Sequence, residues 1–157
     1  MAKVMVVYES KHGNTKLVAE TIISGIKETP EMEAVISTIK KADPNRVAES
    51  DAILIGSPNH IGRPTRRTRK FISSLSEANL AGKLAAVFDT YIGKDFEKAV
   101  KKMEKQIGED VPGLELVAPG LSIKVDGMKG PVSEGELPKC KEFGEKIANQ
   151  ISGNNTQ

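Results

Sequence analysis

The chain has 157 residues, of which 38% are hydrophobic and 28% charged, a composition typical of a single globular domain. Its 23 basic and 21 acidic residues give a formal net charge of +2, which is too small to argue for nucleic-acid binding. The single cysteine, Cys140, excludes an internal disulfide and falls on the apolar face of the last predicted helix, where we expect a core residue. No leader-like or membrane-spanning apolar run is found, so we expect a cytoplasmic protein with no membrane partner.

Five apolar runs alternate with five segments of helical periodicity. The predicted strands cover residues 3–8, 33–39, 52–56, 84–88 and 114–125. The last of these is either one strand interrupted at Pro119 and Gly120 or two short pieces. The predicted helices cover residues 15–26, 44–49, 65–75, 96–107 and 134–151. This alternation predicts an α/β domain at 1–151, with helices on both faces of a parallel sheet and a polar tail at 152–157.

Two segments carry the strongest periodic signals. The first strand contains an unbroken apolar run over residues 4–8, which indicates a strand covered on both faces. The fourth helix shows apolar side chains at helical spacing, which predicts a buried stripe. That stripe consists of Phe96, Ala99, Val100, Met103 and Ile107.

The turn after the first strand delivers Gly13, Asn14 and Thr15 to the start of a helix. Unpaired backbone amides and the positive end of the helix dipole meet there, so this turn could hold a phosphate group. The hydroxyls of Ser10 and Thr15 are further candidate donors, and Gly13 allows close approach. Gly13 lacks the companion glycines of a P-loop or a dinucleotide fingerprint. An ordinary capped turn is the alternative interpretation.

This turn resembles the phosphate loop of the flavodoxin family, in which two hydroxyl residues precede a Gly-Asn-Thr sequence. Ser10, Gly13, Asn14 and Thr15 match that pattern, whereas His12 stands where the family usually has a hydroxyl residue. The backbone donors do not depend on the side chain at this position. The resemblance therefore implies a phosphate site that has lost one side-chain ligand.

Two later turns extend the resemblance to the whole chain. Residues 56–64 and 89–93 are similar to the two family loops that hold the isoalloxazine ring of FMN, and residues 120–123 are similar to its fifth strand. The chain thus resembles a short-chain flavodoxin or the flavodoxin-like domain of flavodiiron proteins. That resemblance implies a three-layer, doubly wound, five-stranded parallel sheet of strand order 2-1-3-4-5.

The resemblance also implies that FMN binds non-covalently in these three turns. Tyr91 is the candidate for stacking on one flavin face, with a surface tyrosine as the alternative, and His60 or Ile61 would cover the other face. Gly62 is either a hinge beside the flavin or a glycine required where a helix starts. Asp89 would contact the ribityl chain or cap the next helix. The residues expected to bind FMN are Ser10, Lys11, His12, Gly13, Asn14, Thr15, Ser57, Pro58, Asn59, His60, Ile61, Gly62, Asp89, Thr90, Tyr91, Ile92 and Gly93.

The function that the resemblance implies is electron transfer between redox partner proteins, and we predict no catalytic residue and no metal site. Residues 63–70 contain five basic side chains and no acidic one. We expect a redox partner to present an acidic docking patch near Arg63, Arg66 and Arg67, with a plain solvated helix face as the alternative. Two other functions stay open. They are an NAD(P)H-dependent quinone or flavin reductase on the same fold and a binding module without a cofactor.

Overall fold

A parallel sheet with helices on both faces forms the centre of the protein, as described for residues 1–155 by a computed structural model. The strands are β1 (Ala2–Tyr8), β2 (Met32–Thr38), β3 (Ala52–Pro58), β4 (Leu84–Tyr91), β5 (Glu115–Leu116) and β6 (Leu121–Lys124). They follow the order β2-β1-β3-β4-β5, and β6 also pairs with β4. The predicted α/β fold and strand order are confirmed.

The fifth predicted strand consists of two pieces. β5 pairs with β4 at Leu84 and Ala85, and β6 pairs with the later residues of β4 from Phe88 to Tyr91. Pro119 lies between the two pieces and has no amide to contribute to the ladder, which explains the interruption. Because both pieces lie along the same edge of β4, they take the place of one strand.

The helices are α1 (Asn14–Ile26), α2 (Pro44–Val47), α3 (Arg66–Ser74), α4 (Lys98–Asp110) and α5 (Leu137–Asn155). A short 3-10 turn at Leu75–Glu77 follows α3. Helix α5 continues four residues beyond position 151, where the sequence predicted that it would end, and residues 156–157 of the predicted tail lie outside the described residues. None of the helices within residues 1–155 has the length and apolarity needed to cross a membrane.

Each face of the sheet has its own core. Alternation along β3 shows this, because Leu54 packs with α1 and α5 whereas Ile53 and Ile55 pack with α3 and α4. Helices α1 and α5 can approach closely because Gly25 and Gly144 have no Cβ. A Cβ at either position would overlap a backbone carbonyl of the opposite helix. This packing brings the N-termini of α1, α3 and α4 to the edge of the sheet where the parallel strands end.

Cys140 is fully buried, as predicted, whereas Phe96 is not. The predicted stripe of the fourth helix included Phe96, but α4 begins at Lys98 and the Phe96 side chain is 54% exposed. Glu97 has a positive φ of 62°, which a right-handed helix does not allow, so α4 cannot include Glu97 and Phe96 lies on the preceding loop. The predicted helix therefore began two residues too early.

Candidate functional site

Three loops meet at the carboxyl ends of the central strands. We call residues 9–13 the first loop, residues 59–65 the second loop and residues 92–97 the third loop. Together with the neighbouring strand and helix ends they line a cleft of about 500 Å³. The predicted binding residues that line it are Ser10, Lys11, His12, Asn14, Thr15, Pro58, Asn59, His60, Thr90, Tyr91 and Ile92.

The first loop presents backbone donors at the start of α1. Gly13 precedes the helix with a φ of 91°, a conformation that favours glycine, and its amide donates to Ser10 Oγ at 3.0 Å. The amides of Asn14, Thr15 and Lys16 make no hydrogen bond with any residue that the structure describes. Because these amides lie at the positive end of the helix dipole, they suit an anion.

A buried pair of hydroxyl groups joins α1 to β4. Thr15 Oγ1 and Thr90 Oγ1 are 2.9 Å apart, and both residues line the cleft. A hydroxyl carries one hydrogen, so the pair uses one hydrogen between its two members and leaves the other available. The pair can therefore donate one hydrogen bond to a ligand, and the predicted Thr15 donor is shared with Thr90.

The end of β4, together with the third loop, supplies an aromatic wall. Tyr91 is half-buried and lines the cleft, and Phe96 contacts its ring edge-on with centroids 5.4 Å apart and an interplanar angle of 63°. Burial and the nearby Glu136 carboxylate raise the pKa of Tyr91. The phenol is therefore neutral at physiological pH and offers an apolar ring surface.

Asp89 lies behind the cleft wall and is fully buried. Its carboxylate accepts hydrogen bonds from the Val100 amide at 3.0 Å and from Ser122 Oγ at 2.6 Å. The Val100 amide belongs to the first turn of α4, so these contacts correspond to the capping alternative rather than to a ribityl contact. Burial raises the pKa of Asp89 to about 6, although the hydrogen bonds from Ser122, the Val100 amide and Asn59 oppose this effect.

Asn59 connects the second loop to the end of β4 and to the start of α4. Its backbone amide and its Nδ2 both donate to the Thr90 carbonyl oxygen, at 2.9 and 3.1 Å, and its Oδ1 accepts from the Ala99 amide at 3.0 Å. Asn59 and Asp89 thus satisfy two amides in the first turn of α4, where Glu97 provides no side-chain cap. These contacts hold the second loop against the strand and the helix that flank the third loop.

The second loop turns tightly at its tip. Two backbone hydrogen bonds join His60 and Arg63, and both residues between them have a positive φ, 56° at Ile61 and 72° at Gly62. A β-branched residue rarely adopts this conformation, so Ile61 is strained. His60 lines the cleft, whereas the Ile61 side chain is 81% exposed and does not line it.

Six predicted binding residues lie outside the cleft lining: Gly13, Ser57, Ile61, Gly62, Asp89 and Gly93. The Ser57 side chain is buried, and its Oγ accepts from the Thr65 amide at 3.1 Å and donates to the Pro58 carbonyl at 2.9 Å. Ser57 therefore holds the base of the second loop. At Gly13 and Gly62 the positive φ of the backbone, rather than a side chain, shapes the neighbouring cleft wall.

Six cleft residues were absent from the predicted binding set: Glu9, Thr65, Arg67, Val125, Gly127 and Met128. Glu9 accepts hydrogen bonds from Arg67 Nη1 at 3.1 Å and from Thr65 Oγ1 at 3.0 Å. Glu9 belongs to the first loop and Arg67 to the basic residues 63–70, so the sequence analysis had singled out both segments. Nothing in the sequence indicates that the two side chains form a pair. Val125, Gly127 and Met128 follow β6. They could have been predicted, because β6 ends at the same edge of the sheet as the other strands.

Comparison with known proteins places the chain in a family. A model of the flavodoxin domain matches residues 5–125. The flavodoxin of Clostridium saccharobutylicum is 29% identical over 95% of this chain and 97% of its own length. A solved archaeal flavodoxin superposes with a TM-score of 0.82 at 28% identity, covering 96% of this chain and 99% of that one. The flavodiiron core of Synechocystis sp. PCC6803 shares the fold with a TM-score of 0.78 at 18% identity, over 98% of this chain and 36% of that one. The predicted resemblance is confirmed, and the chain belongs to the flavodoxin domain family.

Proposed function

We propose that this chain binds FMN non-covalently and transfers electrons between redox partner proteins. One observation carries the choice of FMN among flavins. Asn14 and Thr15, two of the three residues with an available amide at the start of α1, line the same cleft as Tyr91, so the cleft offers an anion site and an apolar wall to one ligand. A volume of about 500 Å³ lies within the usual range for a cofactor pocket.

The residues of the first loop would hold the phosphate group. The amides of Asn14, Thr15 and Lys16 would donate to it, and the Thr15–Thr90 pair would add one hydroxyl hydrogen. Exposed Lys11 and His12 line the same end of the cleft. This arrangement would hold the phosphate mainly by backbone groups, so it would not require a hydroxyl side chain at position 12.

The second and third loops would hold the ring system. Tyr91 would cover one face, and His60 suits the other face better than Ile61 because only His60 lines the cleft. FMN supplies reversible one- and two-electron chemistry when bound. The chain itself contributes ring burial, hydrogen bonds and a charge environment, which together set the flavin potential. The strained 60–63 turn is the candidate for a backbone hinge beside the ring.

Flavodoxins pass electrons to and from partner proteins, and we propose that the partner docks beside the second loop. Arg63 and Arg66 are exposed there and form no ion pair with any side chain that the structure describes. Arg67 is paired with Glu9, so Arg63 and Arg66 would dominate the attraction for an acidic patch. A cytoplasmic location stays a prediction.

Titration of the apoprotein tests the proposed cofactor. FMN should bind far more tightly than riboflavin, because riboflavin lacks the phosphate group that the first-loop amides would hold. Flavin fluorescence, measured against increasing protein, gives both dissociation constants in one buffer. Equal affinities would remove the phosphate site from the proposal, and binding of neither flavin would refute the proposed function.

A further inference from the structure

Residues 124–133 form a hairpin at the end of β6, which we call the 124–133 hairpin. Val125 and Val132 form an antiparallel bridge across it. The Asp126 amide donates to the Pro131 carbonyl at 2.9 Å, and the Ser133 amide donates to the Lys124 carbonyl at 2.9 Å. Its base and stem are therefore held by backbone pairing.

Side chains and neighbouring elements hold the hairpin in place. The Val125 amide donates to the Tyr91 carbonyl at 2.8 Å, which ties the hairpin to the aromatic wall of the cleft. Ser133 Oγ donates to Asp126 Oδ1 at 2.6 Å across the stem. Glu136 accepts from the Lys124 amide at 2.8 Å. These contacts give the hairpin a defined position beside the cleft.

The turn of the hairpin lies close to Asn14, at the start of α1. Gly130 has a φ of 104°, and a Cβ at this position would lie 2.6 Å from Asn14 Oδ1 and 3.2 Å from Asn14 Nδ2. Asn14 is the first residue of α1 and supplies one of the available amides. The hairpin therefore packs close to the side chain of a residue in the candidate phosphate site, and a Cβ at position 130 would require the Asn14 side chain to move.

Met128 occupies the tip of the hairpin. Its side chain is 75% exposed, yet it lines the cleft together with Val125 and Gly127. An unbranched thioether adapts to irregular apolar surfaces, and its burial against a ligand removes apolar area from water. A methionine held at the mouth of a cleft by a well-bonded hairpin is suited to contact whatever the cleft contains.

We propose that the 124–133 hairpin is a fourth wall of the flavin site. Met128 covers an apolar part of the bound flavin, and the close approach of Gly130 to the Asn14 side chain maintains the position of the amides at the start of α1. This inference rests on the proposed function, because it assumes that the cleft ligand is a flavin. It assigns two separate roles within one hairpin, and the two roles predict different patterns of ligand affinity.

The Met128→Ala variant tests the covering role. We expect its dissociation constants for FMN and riboflavin to rise by a similar factor, roughly tenfold, because the lost apolar contact does not involve the phosphate group. Ile36→Ala is the matched control, since Ile36 is an exposed apolar side chain on β2 and does not line the cleft. Unchanged flavin affinity in Met128→Ala would overturn the covering role.

The Gly130→Ala variant tests the contact with Asn14. Its control is Gly135→Ala, because Gly135 also has a positive φ of 84° but a Cβ there meets nothing within 4 Å. We expect Gly130→Ala to weaken FMN binding by roughly tenfold relative to Gly135→Ala, and to weaken riboflavin binding much less. Equal FMN affinity in the two variants would overturn this role. If the unmodified protein bound no flavin, the proposed function itself would fail, which separates the two failures.

Discussion

At the first loop the groups available to a ligand are backbone amides, whereas at the second and third loops they are side chains held by distant elements. The first-loop geometry depends on Gly13 and on the start of α1, which are adjacent in the chain. The position of the other two loops depends on Asn59, Asp89 and Ser122, which come from three different parts of it. One backbone change at Gly13 should therefore disrupt the first loop. The second and third loops should be disrupted by removing the side-chain contacts that connect distant parts of the chain.

Replacement of Gly13 by Val is expected to have the largest effect on flavin binding. Valine strongly disfavours the φ of 91°, so the helix start would move and the anion would lose charge-assisted amide bonds worth about 1.5–3 kcal/mol each. The control is Gly82→Val, because Gly82 has a similar φ of 83° and an open environment before β4, at the other edge of the sheet. Isothermal titration with FMN should show at least a hundredfold loss of FMN affinity for Gly13→Val and no such loss for Gly82→Val. Similar losses in both variants would indicate general destabilisation.

The pH dependence of stability tests Asp89, one of the contacts that position the second and third loops. The pKa of Asp89 is raised from 3.8 to about 6, so the native state holds a proton that the unfolded state has released between these values. The free energy of unfolding should therefore fall as pH rises through this window, by on the order of 3 kcal/mol. Asp89→Asn should lack this decrease, and Asp95→Asn, a change in the third loop, should retain it. Urea denaturation at several pH values measures all three. Parallel curves would remove Asp89 as the cause.

The Tyr91→Ala variant tests whether the aromatic wall stacks on the flavin. Loss of a stacking ring should weaken FMN binding by about 1–3 kcal/mol and should affect riboflavin equally, unlike the Gly13 change. Phe96→Ala is the reference variant, because Phe96 contacts the Tyr91 ring but does not line the cleft. Its effect should be smaller. If flavin affinity and the flavin absorption spectrum stayed unchanged in Tyr91→Ala, the stacking role would belong to another residue.

The smallest expected effect concerns the charge beside the second loop. Reversal of Arg63 and Arg66 to Glu should slow association with an acidic partner by about tenfold at low ionic strength, with the difference shrinking as salt is added. Lys27 and Lys83 lie at the opposite edge of the sheet, so their reversal to Glu gives the same change in net charge away from the cleft. Stopped-flow measurements of electron transfer compare the pairs. Equal rates for both pairs would leave residues 63–70 as a solvated helix face.

The sequence alone predicted the elements that depend on neighbouring residues. Apolar runs and helical periodicity located the strands and helices, and Gly13-Asn14-Thr15 identified the turn at which α1 begins beside the cleft. Such features follow from backbone sterics and from which face of an element is apolar. The resemblance of the loops to flavodoxins then supplied the strand order, which the structure confirms.

Only the tertiary structure decided which side chains share the cleft. Glu9 pairs with Arg67, 58 positions away, and Gly130 lies close to the Asn14 side chain. The capping of α4 by Asp89 was one of two alternatives that the sequence left open, because both use a carboxylate at the end of β4. Phe96 was assigned to a helix because periodicity cannot detect the left-handed backbone conformation at Glu97. In each case the outcome depends on contacts between residues distant in the chain or on local backbone geometry, and neither leaves a periodic pattern in the sequence.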